Sequence, residues 1–312
     1  MEISILLAEQ ILAMFLTMAV GFGVVRAGLF KTEDSRIISN MVVYICNPCV
    51  VVHSFQIELT DDKIKGLMIA IGLSVLVHMV LIIGSEILSF IFHFNSIEKA
   101  SIIYTNAGYL VIPLVGAVLG EEWVFYTTAF ILVQTVLMWT HGVKLIGQEK
   151  DLNIRKILCN PNVIAMIIGI ALFALEIRLP TIVDSCVSGL GDMISPASMM
   201  VIGMVIGDVD LKWVFRQKRP YLICLLRLIV FPLIAVVAFA GLERSGIHPD
   251  AEYILMIVLI ATSAPAAAMI TQLAQIYGKD SRYASVINVM SVIFCIITMP
   301  VMVLSYEILI AL

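Results

Sequence analysis

The sequence predicts an all-α membrane protein in which ten transmembrane helices form two inverted repeats of five helices, with one pair of crossed broken helices. Three observations predict this fold: an apolar composition, ten apolar segments, and helix breaks at matching places in the two halves. Of the 312 residues, 61% are hydrophobic and 13% are charged, and the mean hydropathy is +1.05. Soluble domains carry about 25% charged residues. The composition therefore excludes a water-soluble globular protein.

Charged or turn-forming residues separate ten apolar segments, and one crossing of a bilayer needs about 20 apolar residues. The sixth segment is short, although its apolar run can be extended back to Pro161. The chain starts with Met1-Glu2-Ile3 and lacks the basic start of a signal peptide, so no cleaved leader is expected. The segments are Ile5–Val25, Ile37–Phe55, Leu67–Phe92, Ala100–Leu119, Trp123–Ile146, Val163–Leu175, Val183–Ile206, Tyr221–Ala240, Tyr253–Ile276 and Ala284–Ile310.

The distribution of basic residues predicts the orientation, because cytoplasmic loops of membrane proteins are enriched in Lys and Arg. The loops after the odd-numbered segments hold 14 of the 19 basic residues, and the loops on the opposite side hold four. We therefore expect a multi-pass protein of the plasma membrane. Its odd-numbered loops would lie in the cytoplasm and both termini would lie outside.

The two halves of the chain have matching spacings. Gly21 precedes Pro48 by 27 residues, and Gly169 precedes Pro196 by the same number. Because each half has an odd number of segments, the second half would enter the membrane from the opposite side. The predicted parts are a first five-helix repeat, a cytoplasmic linker and an inverted second repeat, over 1–147, 148–159 and 160–312.

Segments 4 and 9 each contain residues that break a helix near the middle of the membrane. In segment 4 these are Asn106–Gly108 followed by Pro113, and in segment 9 they are Thr262–Pro265. Pro and Gly are common in membrane helices, so a single break has little meaning. Two breaks at corresponding places in inverted halves are typical of secondary transporters, whose substrate sites lie at the breaks.

The residues at the two breaks are candidates for substrate binding. A broken helix has backbone amides that lipid cannot satisfy, so it must face protein or a water-filled cavity. The N-termini of half-helices carry partial positive charge and favour an anion. In the alternative interpretation, the polar side chains, including that of Gln272, only satisfy the freed backbone groups. The candidates are Asn106, Gly108, Tyr109, Pro113, Thr262, Ser263 and Pro265.

Arg227 is the basic residue that lies well inside a predicted span, in segment 8. An Arg at the bilayer centre costs about 2.5–3.5 kcal/mol on insertion scales, so it normally faces a partner or a cavity. Arg227 is therefore a candidate for contact with the substrate or a counter-ion. Alternatively, its long side chain reaches the nearby cytoplasmic interface.

Three titratable residues inside predicted spans are candidates for coupling to protons or sodium. Asp192 lies in segment 7, four residues before Pro196, where we expect a buried carboxyl, and Glu86 and His78 lie in segment 3. Ionisable groups inside membrane segments often mark proton or ion pathways. The alternative for each of them is a hydrogen bond that supports helix packing.

Two patterns known from enzymes do not predict an enzyme here. Gly189–Asp192 spells the GxGD sequence of intramembrane aspartyl proteases, but that chemistry needs two carboxylates, and the Tyr-Asp partner is absent. Cys46–Cys49 has CxxC spacing but lies in an apolar span without a redox fold around it. No spacing for a metal site, phosphate loop or nucleotide site occurs, so no cofactor is predicted. The net charge of −4 argues against nucleic acid as a partner.

Together these residues resemble the auxin efflux carrier family, which includes plant PIN-type carriers and bacterial malate and malonate permeases. The most specific match, Thr105–Pro113, is similar to the family's N-T-G-F-L-G-x-P break. The short connection between the halves is similar to that of bacterial members. After Pro265, Ala266–Ala268 replaces the polar residue of the family pattern. Looser matches are Gly28–Phe30, Asn47 with Pro48, Asn160 with Pro161, Leu190–Asp192 with Pro196 and Gly203, and Arg227 with Pro232.

The resemblance implies an elevator-type secondary transporter of small organic anions such as carboxylates. Segments 1, 2, 6 and 7 would form a scaffold, and segments 3–5 and 8–10 would carry the crossed helices. The expected partners are the anion, the lipid bilayer and a second copy in a homodimer. Two alternatives remain open from the sequence: a sodium/proton antiporter, which would need paired carboxylates at the crossing, and a non-transporting membrane sensor or scaffold.

Overall fold

The computed structural model describes residues 2–147 and 158–312, which are predominantly α-helical. No β-strand occurs in these ranges, and Thr105 and Ala266 form an isolated antiparallel β-bridge. Most of the linker predicted at 148–159 lies outside the described residues. For the described residues, the prediction of an all-α protein is confirmed.

The helices follow the apolar segments. Segments 4 and 9, in which helix breaks are predicted, are each divided into two helices. The bounds of each helix include its adjoining π and 3-10 turns. The helices are α1 (Glu2–Arg26), α2 (Thr32–Ser54), α3 (Asp61–Phe92), α4 (Ser96–Ile103), α5 (Ala107–Leu119), α6 (Glu121–Gly147), α7 (Pro161–Ala174), α8 (Thr181–Gly207), α9 (Leu211–Arg216), α10 (Arg219–Glu243), α11 (Ala251–Ser263), α12 (Ala268–Ile276) and α13 (Ser281–Ala311).

Seven of these helices are long and apolar enough to cross a membrane, namely α1, α2, α3, α6, α8, α10 and α13. Three shorter helices, α5, α7 and α11, are also apolar. With this many apolar helices, the chain is a multi-pass membrane protein.

Short polar side chains define where several helices begin. The side chains of Thr60, Asn95, Asn160 and Asp280 each accept a hydrogen bond from a backbone N–H in the first turn of the following helix. Such caps satisfy donors that have no partner within the helix. The cap at Asn160 places Pro161 at the first helical position, so segment 6 includes Pro161.

Three helices contain a π turn that ends two residues before a proline. The turns Val42–Cys46, Ala107–Val111 and Leu226–Val230 precede Pro48, Pro113 and Pro232. Proline has no N–H, so the carbonyl four residues earlier loses its ordinary donor and the local helix must readjust. The prolines of the sequence motifs thus locally widen the helices without ending them.

The helices pack into two groups that meet along α1, α5 and α13. Helix α1 packs along α8, and α2 packs on α7 and α8, so α1, α2, α7 and α8 form what we call the four-helix bundle. Helix α3 packs on α6 and α11, and α13 packs on α10, α11 and α12. We call the group α3–α6 and α10–α13 the crossing bundle, because it contains both broken helices.

Glycines allow close contact between α1 and α8 in the four-helix bundle. A methyl group added at Gly203 would collide with the backbone carbonyl oxygen of Met18, and one added at Gly21 would collide with the carbonyl oxygen of Met200. Small residues at such positions let membrane helices approach until their backbones touch. Gly21 and Gly203, both noted in the sequence, therefore serve to pack these helices.

A buried carboxylate ties four helices together at the predicted cytoplasmic end of the crossing bundle. Glu98 is 2% exposed and precedes the apolar segment Ala100–Leu119. Its carboxylate accepts hydrogen bonds from Nε of Arg219 at 2.7 Å and from the Tyr283 hydroxyl at 2.7 Å. Arg219 also donates to the carbonyl oxygen of Phe92 at 2.6 Å. Helices α3, α4, α10 and α13 therefore meet at one carboxylate.

We expect Glu98→Gln to reduce the free energy of unfolding by about 2 kcal/mol, since hydrogen bonds to a charged group are lost. Burial raises the pKa of Glu98, but the hydrogen bonds from Arg219, the Asn95 backbone and Tyr283 outweigh it and lower the pKa overall. The charged form therefore adds stability above the pKa of an unfolded Glu, about 4.3. This stability is lost as the pH falls through the lower folded-state pKa.

Thermal unfolding in detergent, measured from pH 7 to pH 3, tests this prediction. The melting temperature of the Glu98→Gln protein should be lower at pH 7 and should fall less on acidification than that of the wild type. Glu58→Gln, at an exposed carboxylate, is the control. Identical pH profiles for wild type and Glu98→Gln would contradict the prediction.

Candidate substrate site

The two helix breaks lie against each other in the middle of the crossing bundle. The Asn106 N–H donates to the carbonyl oxygen of Pro265 at 2.8 Å, and the Ala267 N–H donates to the carbonyl oxygen of Tyr104 at 3.0 Å. The extended residues between α4 and α5 thus pair antiparallel with those between α11 and α12. Each break supplies backbone hydrogen bonds that the other lacks, as a buried backbone requires.

Gln134 of α6 satisfies the remaining backbone groups of Thr105. Its Oε1 atom accepts from the Thr105 N–H at 2.8 Å and from the Thr105 hydroxyl at 2.9 Å. Its Nε2 atom donates to the Thr105 carbonyl oxygen at 2.9 Å. The carboxamide of Gln134 therefore satisfies both the backbone N–H and the backbone carbonyl oxygen of Thr105 at the first break.

Asn288 and Ser291 of α13 do the same for the second break. Nδ2 of Asn288 donates to the Ala266 carbonyl oxygen at 2.6 Å, and the Ser291 hydroxyl accepts from the Ala266 N–H at 3.0 Å. Neither of these two residues, nor Gln134, is among the residues predicted from the sequence. The sequence feature that could have identified them is a polar side chain in the middle of an apolar segment. They lie in segments 5 and 10, which directly follow the two broken segments.

A cavity of about 130 Å³ lies beside the crossing, between the two bundles. None of the described residues that line it is charged. The predicted residues Asn106, Gly108, Tyr109 and Gln272 are among them, and Asn47 and Asn162 come from the four-helix bundle. The described residues of the lining are Val43, Asn47, Thr105, Asn106, Gly108, Tyr109, Ile131, Gln134, Thr135, Met138, Trp139, Asn160, Asn162, Ala267, Ala268, Met269 and Gln272.

Two helix N-termini point to this cavity. Helix α5 begins at Ala107 and helix α12 begins at Ala268, and Gly108, Tyr109, Ala268 and Met269 of their first turns line the cavity. Asn106 is 5% exposed and precedes α5, yet its side chain makes no capping hydrogen bond. The first N–H groups of a helix have no partner within it and carry partial positive charge. The cavity therefore combines two positive helix ends with a free carboxamide.

Arg227 lies at the opposite ends of the broken helices. Its side chain is 0% exposed, so it does not reach the membrane interface. Its Nη1 atom donates to the carbonyl oxygen of Ile102, in the last turn of α4, at 3.1 Å. It also acts electrostatically on Cys295, whose thiol donates to the carbonyl oxygen of Ser263, the last residue of α11. A cation near the C-terminus of a helix is stabilised by the partial negative charge there.

The sequence matches one family model over most of the chain. The family model described as membrane transport protein matches residues 6–156 and 150–303. The chain belongs to the membrane transport protein family. This is the auxin efflux carrier family that the motifs resemble, so that prediction is confirmed. No curated protein matches the sequence.

In this membrane transport protein, four of the residues predicted at the helix breaks, besides Arg227, are not among the described residues that line the uncharged cavity. Pro265 contributes its carbonyl oxygen to the crossing, and Pro113 lines a second cavity. The Thr262 hydroxyl donates to the carbonyl oxygen of Val258 within its own helix, at 2.6 Å. The Ser263 hydroxyl is buried and has no hydrogen-bond partner among the described residues. The structure thus brings together the predicted residues of segment 4 more closely than those of segment 9.

The second cavity, of about 210 Å³, lies between α2, α5 and α8 toward the predicted external side. Asp192 lines it and is exposed, so the expectation of a buried carboxyl is wrong for this residue. Asp192 comes directly before the turn at Met193 that interrupts α8, where the helix opens toward the cavity. His53 and Glu121 line the same cavity, which contains an acid of the four-helix bundle and an acid of the crossing bundle.

The other two coupling candidates of this family member have different surroundings. Glu86 forms an ion pair with Lys99, in which the Nζ and Oε2 atoms are 2.7 Å apart. His78 is 0% exposed and lies in α3, beside Gln134 and within the electrostatic reach of Arg227. Of the three candidates, His78 is thus nearest to the crossing.

Proposed function

We propose that this membrane transport protein is a secondary transporter of small organic anions such as carboxylates. One observation carries the proposal: the positive N-terminal ends of α5 and α12 lie at a cavity whose described lining residues are uncharged. The buried Arg227 lies elsewhere, at the negative C-terminal end of α4. A substrate anion supplies the charge that this cavity lacks.

The electrostatic argument rests on the size of the helix dipole. Each helix end carries about half an elementary charge. The C-terminal end of α4 is balanced by Arg227, which is buried and hydrogen-bonded to Ile102. Arg227 also acts on Cys295, whose thiol donates to the last residue of α11. The N-terminal ends of α5 and α12 have no acidic residue beside them in the described cavity lining. A bound carboxylate at those ends would receive hydrogen bonds from backbone N–H groups and from the Asn106 carboxamide.

The absence of acidic residues from the described cavity lining also separates this proposal from a sodium/proton antiporter. An antiporter needs carboxylates to bind the cation at the crossing. The acidic residues Asp192 and Glu121 lie instead in the second cavity. The third hypothesis, a sensor that does not transport, predicts no flux and is tested by the same assays.

For the mechanism we propose alternating access by an elevator movement in a fold of ten membrane helices and two inverted repeats. The four-helix bundle would be the scaffold and the crossing bundle would move. Support comes from the position of the uncharged cavity, whose lining includes Asn47 and Asn162 from one bundle and Asn106 from the other. A substrate held mainly by the crossing bundle could move past the scaffold.

The membrane potential limits the direction of transport. Each charge moved across the membrane is worth about 2.3 kcal/mol per 100 mV, or roughly 50-fold in concentration. In a plasma membrane with a negative cytoplasmic side, export of a monovalent anion needs no coupling ion. Import of the same anion would need protons or sodium.

We expect Asn106→Ala to lower the initial rate of anion uptake at least tenfold, because a hydrogen bond to a charged group contributes about 1.5–3 kcal/mol. Purified protein in liposomes, assayed for uptake of ¹⁴C-labelled malonate, malate and lactate, gives the measurement. Asn106→Asp should be at least as slow, since it adds a negative charge beside the anion.

Asn40→Ala provides a matched control at an exposed asparagine of α2. Its rate should equal that of the wild type. Equal rates for Asn106→Ala and wild type would remove Asn106 from the site. No uptake or counterflow of any organic anion by the wild type would overturn the proposed function.

A further inference from the structure

One ring nitrogen of His78 has no hydrogen bond of standard geometry among the described residues, although the Gln134 side chain lies close beside the ring. Its Nδ1 atom is 2.7 Å from the Ser74 carbonyl oxygen. Because a carbonyl oxygen only accepts, Nδ1 carries the proton, and Nε2 of the neutral ring carries a lone pair. Nε2 is buried and has no hydrogen-bond partner in the described part of the chain. Burying a nitrogen without a hydrogen-bond partner costs free energy. Such a nitrogen is therefore a candidate for binding a proton.

The Nε2 atom of His78 lies one side chain away from the substrate cavity. The His78 ring packs on Phe130, with ring centroids 4.9 Å apart, and Gln134 follows one turn later on the same face of α6. Gln134 lies beside His78 and also lines the uncharged cavity. It holds Thr105 of the first break by three hydrogen bonds. A change at His78 can therefore reach the site through Gln134.

Among the described residues, Arg227 of α10 is a charged group close enough to act on His78. From α6 the ring faces the uncharged Phe130 and Gln134, and from its own helix it faces Ser74. A second positive charge next to Arg227 is unfavourable in a buried site. An anion in the neighbouring cavity would offset it. Proton binding at His78 and anion binding in the cavity therefore favour each other.

The other two coupling candidates are less suited to travel with the substrate. Asp192 belongs to the four-helix bundle and is exposed at the second cavity. Glu86 is already paired with Lys99. In the proposed elevator, a group that carries a proton with the anion must lie in the moving bundle and must change its charge. His78 lies in α3 of the crossing bundle.

We propose that His78 is the proton carrier of this transporter and that one proton crosses the membrane with each anion. This inference rests on the proposed anion transport and adds its driving ion. The proton binds the lone pair of Nε2 and forms an imidazolium whose new N–H faces Gln134. When the anion leaves on the other side, the proton leaves Nε2, and the ring returns to its neutral form.

For a monovalent carboxylate, the combined movement of anion and proton carries no net charge. The membrane potential then no longer opposes import, and a pH gradient drives it. At equilibrium, one pH unit supports about tenfold accumulation of the anion, because a tenfold ratio corresponds to about 1.4 kcal/mol.

Two assays on the full-length protein in liposomes test this proposal. The first is counterflow of ¹⁴C-labelled lactate, malonate or malate without any gradient, which measures transport alone. The second is accumulation of the same anion into vesicles whose interior is one pH unit more alkaline, with a trapped dye that reports the internal pH. Wild type should bring lactate to about tenfold accumulation, and acidify the interior, faster than protein-free vesicles, into which undissociated lactic acid diffuses.

We expect His78→Gln to retain counterflow within about threefold of wild type but to lose both accumulation and acidification, since its carboxamide cannot take up a proton. Glu86→Gln, which removes the carboxylate candidate on the same helix, should still accumulate the anion. His93→Gln is the matched control at an exposed histidine.

Each remaining outcome would overturn either the role of His78 or the proposed anion transport on which it rests. Wild type with counterflow but without a response to the pH gradient would overturn the role of His78 and leave anion transport intact. Accumulation that persists in His78→Gln would also overturn the role of His78. If that variant does not fold, the response of the wild type to the pH gradient still tests proton coupling. Absence of counterflow for every anion would overturn the proposed function together with this inference.

Discussion

Gln134→Leu is expected to abolish transport and to destabilise the crossing bundle by about 3 kcal/mol or more. The Gln134 carboxamide makes three hydrogen bonds to Thr105, two with its oxygen and one with its nitrogen. Leu has a similar volume but no polar atom, so the N–H, carbonyl and hydroxyl groups of Thr105 would lose these partners. Each buried polar group without a partner costs about 1–3 kcal/mol.

The destabilised break would also displace the site, because Thr105 is followed directly by Asn106 and the N-terminus of α5. Uptake in liposomes and the melting temperature in detergent measure the two effects. Gln275→Leu is the matched control, at an exposed glutamine of α12 outside the cavity lining. If Gln134→Leu melted and transported like the control, the hydrogen bonds to Thr105 would not hold the break.

Gly203→Ala is expected to lower the free energy of unfolding by about 2 kcal/mol or more, although it adds only a methyl group. That methyl would meet the carbonyl oxygen of Met18 and the backbone nitrogen of Phe22 on α1. A flexible side chain could yield to it, but a helix backbone can only move as a whole. Overpacking of well-packed interiors costs about 1–3 kcal/mol even where side chains can adjust.

Gly189 offers a control on the same helix, because a methyl group added there has no neighbour within 4 Å. Gly189→Ala should therefore leave the melting temperature unchanged or raise it slightly, since Ala is the better helix former. Equal melting temperatures for the two variants would show that α1 and α8 can separate without loss. Loss of folded protein for Gly203→Ala alone would support the packing described.

The apolar spans and the places of the two breaks could be predicted from sequence, because they depend on local chemistry. Apolar stretches between charged residues correspond to the observed helices, and Asn106 and Pro265 lie within the breaks. The exact break positions differ by about two residues from the motifs, a usual error for helix boundaries. In segment 4 the chain is non-helical from Tyr104 to Asn106, whereas Ala107 and Gly108 already belong to a π turn.

The partners of the breaks could not be predicted in the same way. These partners are single polar residues in apolar helices, namely Gln134, Asn288 and Ser291. Their positions in the sequence do not indicate which backbone groups they will bind. Asp192 shows the opposite error, because its place inside an apolar segment suggested burial. In the structure it lies beside a turn at Met193 and faces a cavity, where it is exposed.

The sequence alone determined that this protein spans a membrane, that two of its apolar segments are broken and that few charges lie inside the apolar segments. Those features follow from the cost of placing charge and unpaired backbone in lipid, which every residue experiences locally. Only the tertiary structure decided that the positive helix ends face the uncharged cavity and that Arg227 faces the negative ends. The same holds for His78 beside Gln134. These relations join residues that are far apart in the chain, and packing of the helices alone brings them together.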